Sequence, residues 1–206
     1  MGFLAMIGFR RWHAVGAILL CGWLLAAIFC VTSFSVYLAS AEARDKTSKA
    51  DEWTLSNEEI GGMENSVLRY TNEERTKRAL HPLQFSPALG FLAVQHARHM
   101  CQTGSLKHES LTFPEGWQKF YQRLQIIGLS AGGENIAYRT VQTTPDQWAK
   151  AIVDGWMKSP NHRKNILREG FRYVGVGVAP CAKRIAYVSQ VFSPYTGQYP
   201  AHDIGR

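Results

Sequence analysis

Hydrophobic and polar positions divide the chain into an apolar N-terminal stretch, a polar connection and a mixed C-terminal part. Residues 12–41 contain no Asp, Glu, Lys or Arg and follow directly after Arg10 and Arg11. A membrane-spanning helix needs about 20 apolar residues, whereas the apolar core of a cleaved signal peptide has about 7 to 15. The pattern predicts an N-terminal signal or membrane anchor over residues 1–41.

Two alternatives remain open for this segment, because Ala39-Ser40-Ala41 has the small residues that a signal peptidase accepts. The arginines before the segment hold the amino end in the cytoplasm according to the positive-inside tendency. Cleavage and retention therefore both predict export of the remaining chain to the periplasm or the exterior. Retention would anchor the protein in the cytoplasmic membrane.

After residue 41, the pattern of polar and apolar residues predicts a polar linker over residues 42–58, a folded domain over 59–196 and a short C-terminal tail over 197–206. Apolar residues recur at helical spacing from Glu59, which predicts a first helix from there to about Leu80. The residue before a proline is pushed away from helical dihedrals, so His81-Pro82 ends this helix.

Three further helices are predicted where a hydroxyl residue precedes a proline, since the hydroxyl can cap and the proline suits the first helical position. These pairs are Ser86-Pro87, Thr144-Pro145 and Ser159-Pro160. The first of the three helices ends at Gly104 and the last, a short one, at about Leu167. Another helix is predicted from Pro114 to about Ile127, where apolar residues lie three and four apart.

Strands are predicted over residues 173–178 and 186–192, which are rich in β-branched and aromatic residues, and more weakly over 135–138. Helices and strands do not alternate regularly. This arrangement predicts an α+β fold in which a small antiparallel sheet is covered by helices.

Charge and cysteine content indicate which partners and which compartment suit the protein. The formal net charge of +7 is spread along the chain, which suits solubility or attraction to an anionic envelope surface. The exported part has no motif that reads RNA or DNA, so no nucleic-acid partner is expected. Cys101 and Cys181 lie outside the apolar segment; they could pair in an oxidising compartment or remain two buried thiols.

Groups that can bind metals or move protons gather at three loops or helix starts, where sites are commonly assembled on a rigid scaffold. The three segments are Lys107-His108-Glu109-Ser110, Gly133-Glu134-Asn135 and Ser159-Pro160-Asn161-His162-Arg163. His96 and His99 are three apart on a predicted helix, and we interpret them as packing and surface groups.

The order of these segments along the chain is typical of one family. The same order includes the run from Trp156 to Leu167 and the sequence Val174-Gly175-Val176-Gly177. Residues 63–195 resemble the CAP superfamily of cysteine-rich secretory, antigen-five and pathogenesis-related proteins, in its bacterial SCP-like form. The resemblance implies an α-β-α sandwich with a central cleft. It also implies that His108, Glu134 and His162 match members of the family's cleft tetrad.

One departure from the family pattern reduces the tetrad to a triad, because Ser159 stands where animal and plant relatives have a second glutamate. The resemblance implies a cleft lined by His108, Glu134, Asn135, Ser159 and His162. The two imidazoles could hold a divalent metal such as zinc, with Glu134 positioning a water or providing a third bond. The positive end of the short helix would keep the His162 ring neutral.

The sequence favours a binding module over an enzyme. Such a module would take a lipid, glycan or peptide at the cell envelope, with or without a metal. The alternative is a metal-assisted hydrolase, protease-like or acting on the cell wall, in which Glu134 would be the catalytic base. No His-Glu-x-x-His or Gly-x-Ser-x-Gly motif supports the alternative.

Overall fold

The computed structural model describes residues 53–199. The predicted signal or anchor over residues 1–41 lies outside the described residues, as do 42–52 and 200–206. Within the described part, no helix combines the length and the apolar character needed to cross a bilayer.

The described chain folds into five helices and four strands, joined by loops. The helices are α1 (Asn57–Thr76), α2 (Pro87–Thr103), α3 (Phe120–Ile126), α4 (Pro145–Lys158) and α5 (Pro160–Ile166). The strands are β1 (Gln84–Phe85), β2 (Gly133–Thr140), β3 (Tyr173–Cys181) and β4 (Ile185–Ser193). A short 3-10 turn, Ala182–Arg184, connects β3 to β4.

The four strands form one sheet in the order β1-β3-β4-β2. Strands β2 and β3 both run antiparallel to β4, as predicted. The predicted small antiparallel sheet has one parallel pair in addition, because the edge strand β1 runs parallel to β3. This strand has two residues, too few to leave an alternating pattern in the sequence. The α+β class is confirmed.

Helices cover both faces of the sheet, so the predicted α-β-α sandwich is confirmed. One face packs under α1, α4 and α5, where Val174, Val176 and Val178 of β3 meet Trp148 and Trp156 of α4. The other face packs under α2, with Leu89 and Leu92 among its buried residues. In this second layer α2 lies over β3 and β4, and the His96 side chain of α2 reaches Glu134 of β2.

The predicted helix starts at hydroxyl-proline pairs are confirmed. Ser86 Oγ accepts a hydrogen bond from Leu89 N at 3.2 Å, and Thr144 Oγ1 accepts one from Gln147 N at 3.3 Å. Ser159 occupies the cap position of α5 without a side-chain cap bond. Gly104 ends α2 in the left-handed conformation at φ 62°, where a residue without a Cβ is favoured.

Two predicted boundaries of the first helix are wrong. Helix α1 begins at Asn57 rather than Glu59, because Ser56 and Glu59 form a reciprocal capping box. It ends at Thr76 rather than Leu80, since the next residues turn and Ala79 has φ 56°. Helix α3 likewise begins at Phe120, not Pro114.

The folded domain begins earlier and ends later in the chain than the sequence predicted. Trp53 and Leu55, placed in the linker, pack against the main core. Gln198 N donates to Ile127 O at 2.9 Å, and the Tyr199 ring lies edge-on to Phe91. Residues 53–58 and 197–199 therefore belong to the folded domain, because their apolar rings find core partners.

Cys101 and Cys181 form a disulfide with a Cα–Cα distance of 5.8 Å, which decides between the two alternatives left open by the sequence. The bond joins the end of α2 to the end of β3. It closes a loop with a sequence separation of 80 residues. Linking distant segments restricts the unfolded chain and so stabilises the folded one.

Replacing both Cys101 and Cys181 by Ala is expected to lower the free energy of unfolding by about 2–4 kcal/mol, because the unfolded chain regains freedom. Urea unfolding of the oxidised wild type and the double variant checks this. The reduced wild type should match the variant. Equal stability of oxidised and reduced wild type would contradict the expectation.

Candidate functional site

Glu134, the second residue of β2, is the centre of a buried polar network. Its side chain is 2% exposed. Oε1 lies 2.7 Å from His96 Nδ1 and accepts from Ser189 Oγ at 3.2 Å. Oε2 lies 2.9 Å from His108 Nδ1. Arg123 Nη2 donates to both oxygens at 3.1 Å, so each carboxylate oxygen is already engaged by at least two partners.

Two members of this network were missed in the sequence. His96 on α2 is fully buried, and the interpretation of it as a packing group is wrong because its ring binds Glu134. Its second ring nitrogen lies 3.0 Å from Lys107 O, so both nitrogens face oxygen acceptors. Arg123 on α3 is also buried and donates to His108 O at 2.9 Å.

His99 is not a surface group, and that interpretation is also wrong. The residue is 8% exposed, and its ring stacks on Phe113 with 3.6 Å between ring centroids. Its Nε2 lies 3.1 Å from Thr112 Oγ1. Burial, aided by the charges of His96 and Arg123, lowers the pKa of His99. The ring therefore fixes the loop after α2 against that helix.

The environment of Glu134 favours the carboxylate. Burial alone would raise its pKa, but the charge of His96 and the hydrogen bonds of His108 and His96 outweigh that effect, with a further contribution from Arg123. The net result is a pKa lowered well below the ordinary value. A group held in this way keeps its negative charge and does not take up protons near neutral pH.

Lowering the pH is expected to weaken the fold through Glu134. The unfolded chain takes up a proton near the ordinary glutamate pKa of about 4.3, whereas the folded chain does so only at lower pH. The stabilisation is therefore present above about pH 5 and is lost as the pH falls toward the folded-state pKa. Urea unfolding at pH 5 and pH 3 should show a smaller loss in Glu134→Gln than in the wild type. Glu115→Gln, at an exposed site, should retain the wild-type loss, and an unchanged loss in Glu134→Gln would contradict this assignment.

His108 contacts Glu134 directly, and His162 lies close enough to His108 for the charge of His108 to act on it. The His108 side chain is 50% exposed, and its Nδ1 is engaged by Glu134. The remaining ring nitrogen, Nε2, is therefore the one available to a ligand. Burial, followed by the charge of His108, lowers the pKa of His162. The direction agrees with the predicted neutral ring, but burial is the main cause.

Asn135, predicted to line the cleft, is instead fully buried behind it. Its Nδ2 donates to His162 O at 3.1 Å, and its Oδ1 accepts from Asn165 Nδ2 at 2.9 Å. Asn165 Nδ2 also donates to Glu134 O at 3.2 Å. The two amides thus attach α5 to β2, which fixes the backbone of His162 relative to Glu134.

Ser159 and His162 line an open groove between β2 and α4, with a cavity volume of about 330 Å³. Leu106, Ile136 and Trp156 contribute apolar surface to this groove. Its size is at the lower end of the range for small-molecule sites. The groove is thus a recess of mixed polarity with His162 on its wall.

Metal ligands are limited in number at this site. Across residues 53–199, no group of three or more His, Cys, Asp or Glu side chains is arranged to hold a metal ion. Glu134 has both oxygens engaged, whereas His108 Nε2 and the His162 ring are candidate nitrogen ligands. These two imidazoles are the candidate metal ligands, fewer than the three protein ligands of an ordinary catalytic zinc site.

Residues 68–192 match the model of the CAP family, the cysteine-rich secretory protein family. The match covers more than half of the chain, and the sandwich fold agrees with it. The chain belongs to the CAP family.

Bacterial proteins are among the relatives. The chain is 32% identical over 140 residues to YkwD of Bacillus subtilis (strain 168), covering 67% of this chain and 51% of YkwD. It is 30% identical over 115 residues to the membrane protein YlbC of the same organism, covering 56% of this chain and 31% of YlbC. The chain thus spans about half the length, or less, of these curated relatives.

Two solved structures share the fold. An extracellular SCP-domain protein of Bacillus anthracis is 26% identical with a TM-score of 0.53, over 68% of this chain and 44% of that chain. An outer surface protein of Borrelia burgdorferi is 14% identical with a TM-score of 0.52, over 71% of this chain and 96% of that chain.

Proposed function

We propose that this chain is an exported CAP-family binding module whose cleft, formed around His108 and His162, takes a lipid, glycan or peptide at the cell envelope. This proposal rests on the contacts of the Glu134 carboxylate, both of whose oxygens already have hydrogen-bond partners. Its two oxygens accept from Arg123 and contact His96 and His108 within hydrogen-bond distance. The carboxylate is therefore a fixed counter-charge and a support for the cleft.

The same observation disfavours the metal-assisted hydrolase. A general base needs a pKa near the working pH and access to the proton that it removes. Glu134 has a strongly lowered pKa and a side chain that is 2% exposed. Its contact with His108 suits a different task, because a carboxylate that accepts from one ring nitrogen orients the other nitrogen toward a ligand.

Export is supported by the N-terminal pattern and by one relative. Residues 12–41 and the preceding arginines form a membrane-targeting segment by the positive-inside tendency. The Bacillus anthracis structure, at 26% identity, is described as an extracellular protein with an SCP domain. The disulfide between Cys101 and Cys181 suits an oxidising compartment.

A metal such as zinc is a candidate component of this cleft. His108 Nε2 and the His162 ring would hold it, while Glu134 would orient His108 without binding the metal. When bound, the metal would supply a positive charge that attracts carboxylate, phosphate or hydroxyl groups of a ligand. Catalytic zinc sites normally have three protein ligands, so two imidazoles suit a weakly held ion.

The full-length chain, purified in detergent, is expected to bind zinc, because His108 keeps its Nε2 free of Glu134 and burial lowers the pKa of the nearby His162 ring. His108→Ala combined with His162→Ala should weaken binding by at least about tenfold in titration calorimetry. His81→Ala, which removes an exposed histidine elsewhere, is the matched control and should bind as the wild type does. Zinc affinity unchanged in the double variant would contradict the metal assignment.

Binding and hydrolysis are separated by a second experiment. The wild type should leave peptide and muropeptide mixtures intact, as measured by mass spectrometry, while lipids or glycans recovered with it from the envelope identify its ligand. Turnover that disappears in Glu134→Gln, with folding preserved, would overturn the binding-module proposal in favour of the hydrolase.

A further inference from the structure

The groove between β2 and α4 is lined by polar side chains that the fold does not use. Ser159 occupies the cap position of α5, yet its hydroxyl makes no cap bond. Arg139 is exposed, and its guanidinium takes part in none of the ion pairs found among residues 53–199. Both residues line the groove together with His162. Their polar groups are therefore available to a ligand.

Positive charge predominates around this groove. Its lining includes Arg139 and His162, and the described residues that form it include no Asp or Glu. Three exposed cations are sequence neighbours of lining residues. They are Lys107, Lys158 and Arg163. A recess lined and flanked by cations attracts a ligand that carries a negative charge.

Acidic residues of the two walls do not cancel this charge, because each acid carried by β2 and α4 is already paired with a cation. The pairs are Glu134 with Arg123, Asp146 with Arg69 and Asp154 with Lys150. Helix α5 carries no acid. The cations at the groove therefore lack a negative partner from these elements, and a bound anion would supply one.

Apolar surface in the groove is limited. Ile136, Ile152 and Trp156 line it but are buried, so the core already uses most of their surface. The larger apolar contacts available to a ligand come from Leu106 and Tyr138, which are 42% and 52% exposed. An acyl chain gains affinity in proportion to the apolar area that is removed from water. The lining therefore disfavours an acyl chain.

A sugar suits the groups that the groove presents. Its hydroxyls both donate and accept hydrogen bonds, as the Ser159 hydroxyl and the His162 ring can. The C–H groups on one face of a sugar ring carry a slight positive charge, which the negative face of an aromatic ring attracts. Tyr138 provides an exposed ring, supported by Tyr187 at 5.2 Å between ring centroids. The guanidinium of Arg139 matches the two oxygens of a carboxylate or phosphate.

We propose that this groove binds a sugar that carries a carboxylate or phosphate, as one unit of an acidic envelope glycan. The inference rests on the proposed binding function and names the ligand class of the same cleft. The acidic group pairs with Arg139, and the hydroxyls bond to Ser159 and His162. A volume of about 330 Å³ admits a short part of the glycan. A peptide fits less well, because peptide recognition relies on separate side-chain pockets.

Matched sugar probes test the ligand class on the full-length chain in detergent, with EDTA present so that no metal contributes. The probes are oligoglucuronate, phosphorylated oligoglucose and plain oligoglucose of the same length and linkage. Titration calorimetry should show that an acidic probe binds at least about tenfold more tightly than plain oligoglucose. The difference should shrink as salt is added, because salt screens exposed charges. The tighter of the two acidic probes identifies the acidic group.

Two variants assign the contacts. Arg139→Gln should reduce the preference for the acidic probe to less than about threefold, because glutamine can form hydrogen bonds but carries no charge. Arg98→Gln removes an exposed arginine from α2 and is the matched control, which should keep the full preference. Ser159→Ala should weaken acidic and plain probes alike by about two- to tenfold. Urea unfolding confirms that each variant is folded.

Several outcomes would overturn the inference. They are equal binding of acidic and plain probes, a full preference retained in Arg139→Gln, and no binding of any probe. Tighter binding of oligoglutamate than of either acidic sugar would also overturn it and would indicate a peptide ligand. The proposed binding function survives each of these results if protein recovered from the envelope carries another ligand in the cleft, and it fails with the inference if that protein carries none.

Discussion

Replacing Gly175 by Ala is expected to lower the free energy of unfolding by more than about 4 kcal/mol. A Cβ at this position would lie 2.1 Å from Gly90 N and from the Leu89 carbonyl carbon of α2. These are main-chain atoms, so the clash cannot be relieved by a side-chain rotation. Helix α2 would have to move away from β3, and it carries His96. Urea unfolding measures the loss.

Gly155→Ala is the matched control for this substitution. Gly155 is an exposed residue within α4, and a Cβ there would meet nothing within 4 Å. Ala is preferred to Gly within a helix by about 0.5–1 kcal/mol, so this variant should be slightly more stable than the wild type. A Gly175→Ala protein that unfolds at the wild-type urea concentration would refute the close approach of α2 to the sheet.

Replacing Arg123 by Met is expected to lower the free energy of unfolding by about 3–5 kcal/mol. Arg123 is buried and donates to both oxygens of Glu134 and to His108 O. Methionine approximates the length of the side chain but leaves the carboxylate with one cation fewer. The cost therefore comes from a buried carboxylate that has lost one of its charged partners. Urea unfolding at neutral pH checks the value.

A double-mutant cycle shows whether the effect passes through Glu134. Combining Arg123→Met with Glu134→Gln should cost less than the sum of the two single losses, because the second change removes the charge that Arg123 balances. Arg163→Met, at an exposed residue of α5, should change stability by less than about 0.5 kcal/mol. Additive losses at positions 123 and 134 would contradict the coupling.

Much of the fold could be predicted because its signals are local. The pairs Ser86-Pro87 and Thr144-Pro145 begin helices by a cap bond and a fixed proline angle, both within a few residues of sequence. The valines of β3 alternate with Gly175 and Gly177, and the structure gives the reason. The glycine side of the strand lies against the backbone of α2.

The buried partners of Glu134 were harder to find, since their relation is visible only after folding. His96 lies on the apolar stripe of α2, 38 residues before Glu134, and there resembles a core residue. Arg123 lies among apolar residues of a seven-residue helix. A signal did exist, because a polar side chain on an apolar face needs a buried partner. Sequence alone does not indicate which partner it meets.

Family resemblance pointed to residues that the fold brings together, but it did not indicate which contacts each of them makes. It brought together Glu134, Asn135 and His162, and the structure places all three in one region. Asn135 was expected at the surface of the cleft, yet its amide is used by the backbone of α5. Whether Asn135 lines the cleft or is buried depends on the direction in which this strand residue faces. The sequence predicted that strand only weakly, over residues 135–138.

Helix α5 has seven residues, a length that does not persist in isolation. Its attachment to β2 through Asn135 and Asn165 means that the backbone of His162 acquires its place as the chain folds. The recess is consequently preorganised, and an incoming molecule meets a shape that is already set. The conformational entropy of ordering α5 is mostly lost when the protein folds. Binding of a ligand to the recess therefore has a smaller entropic cost.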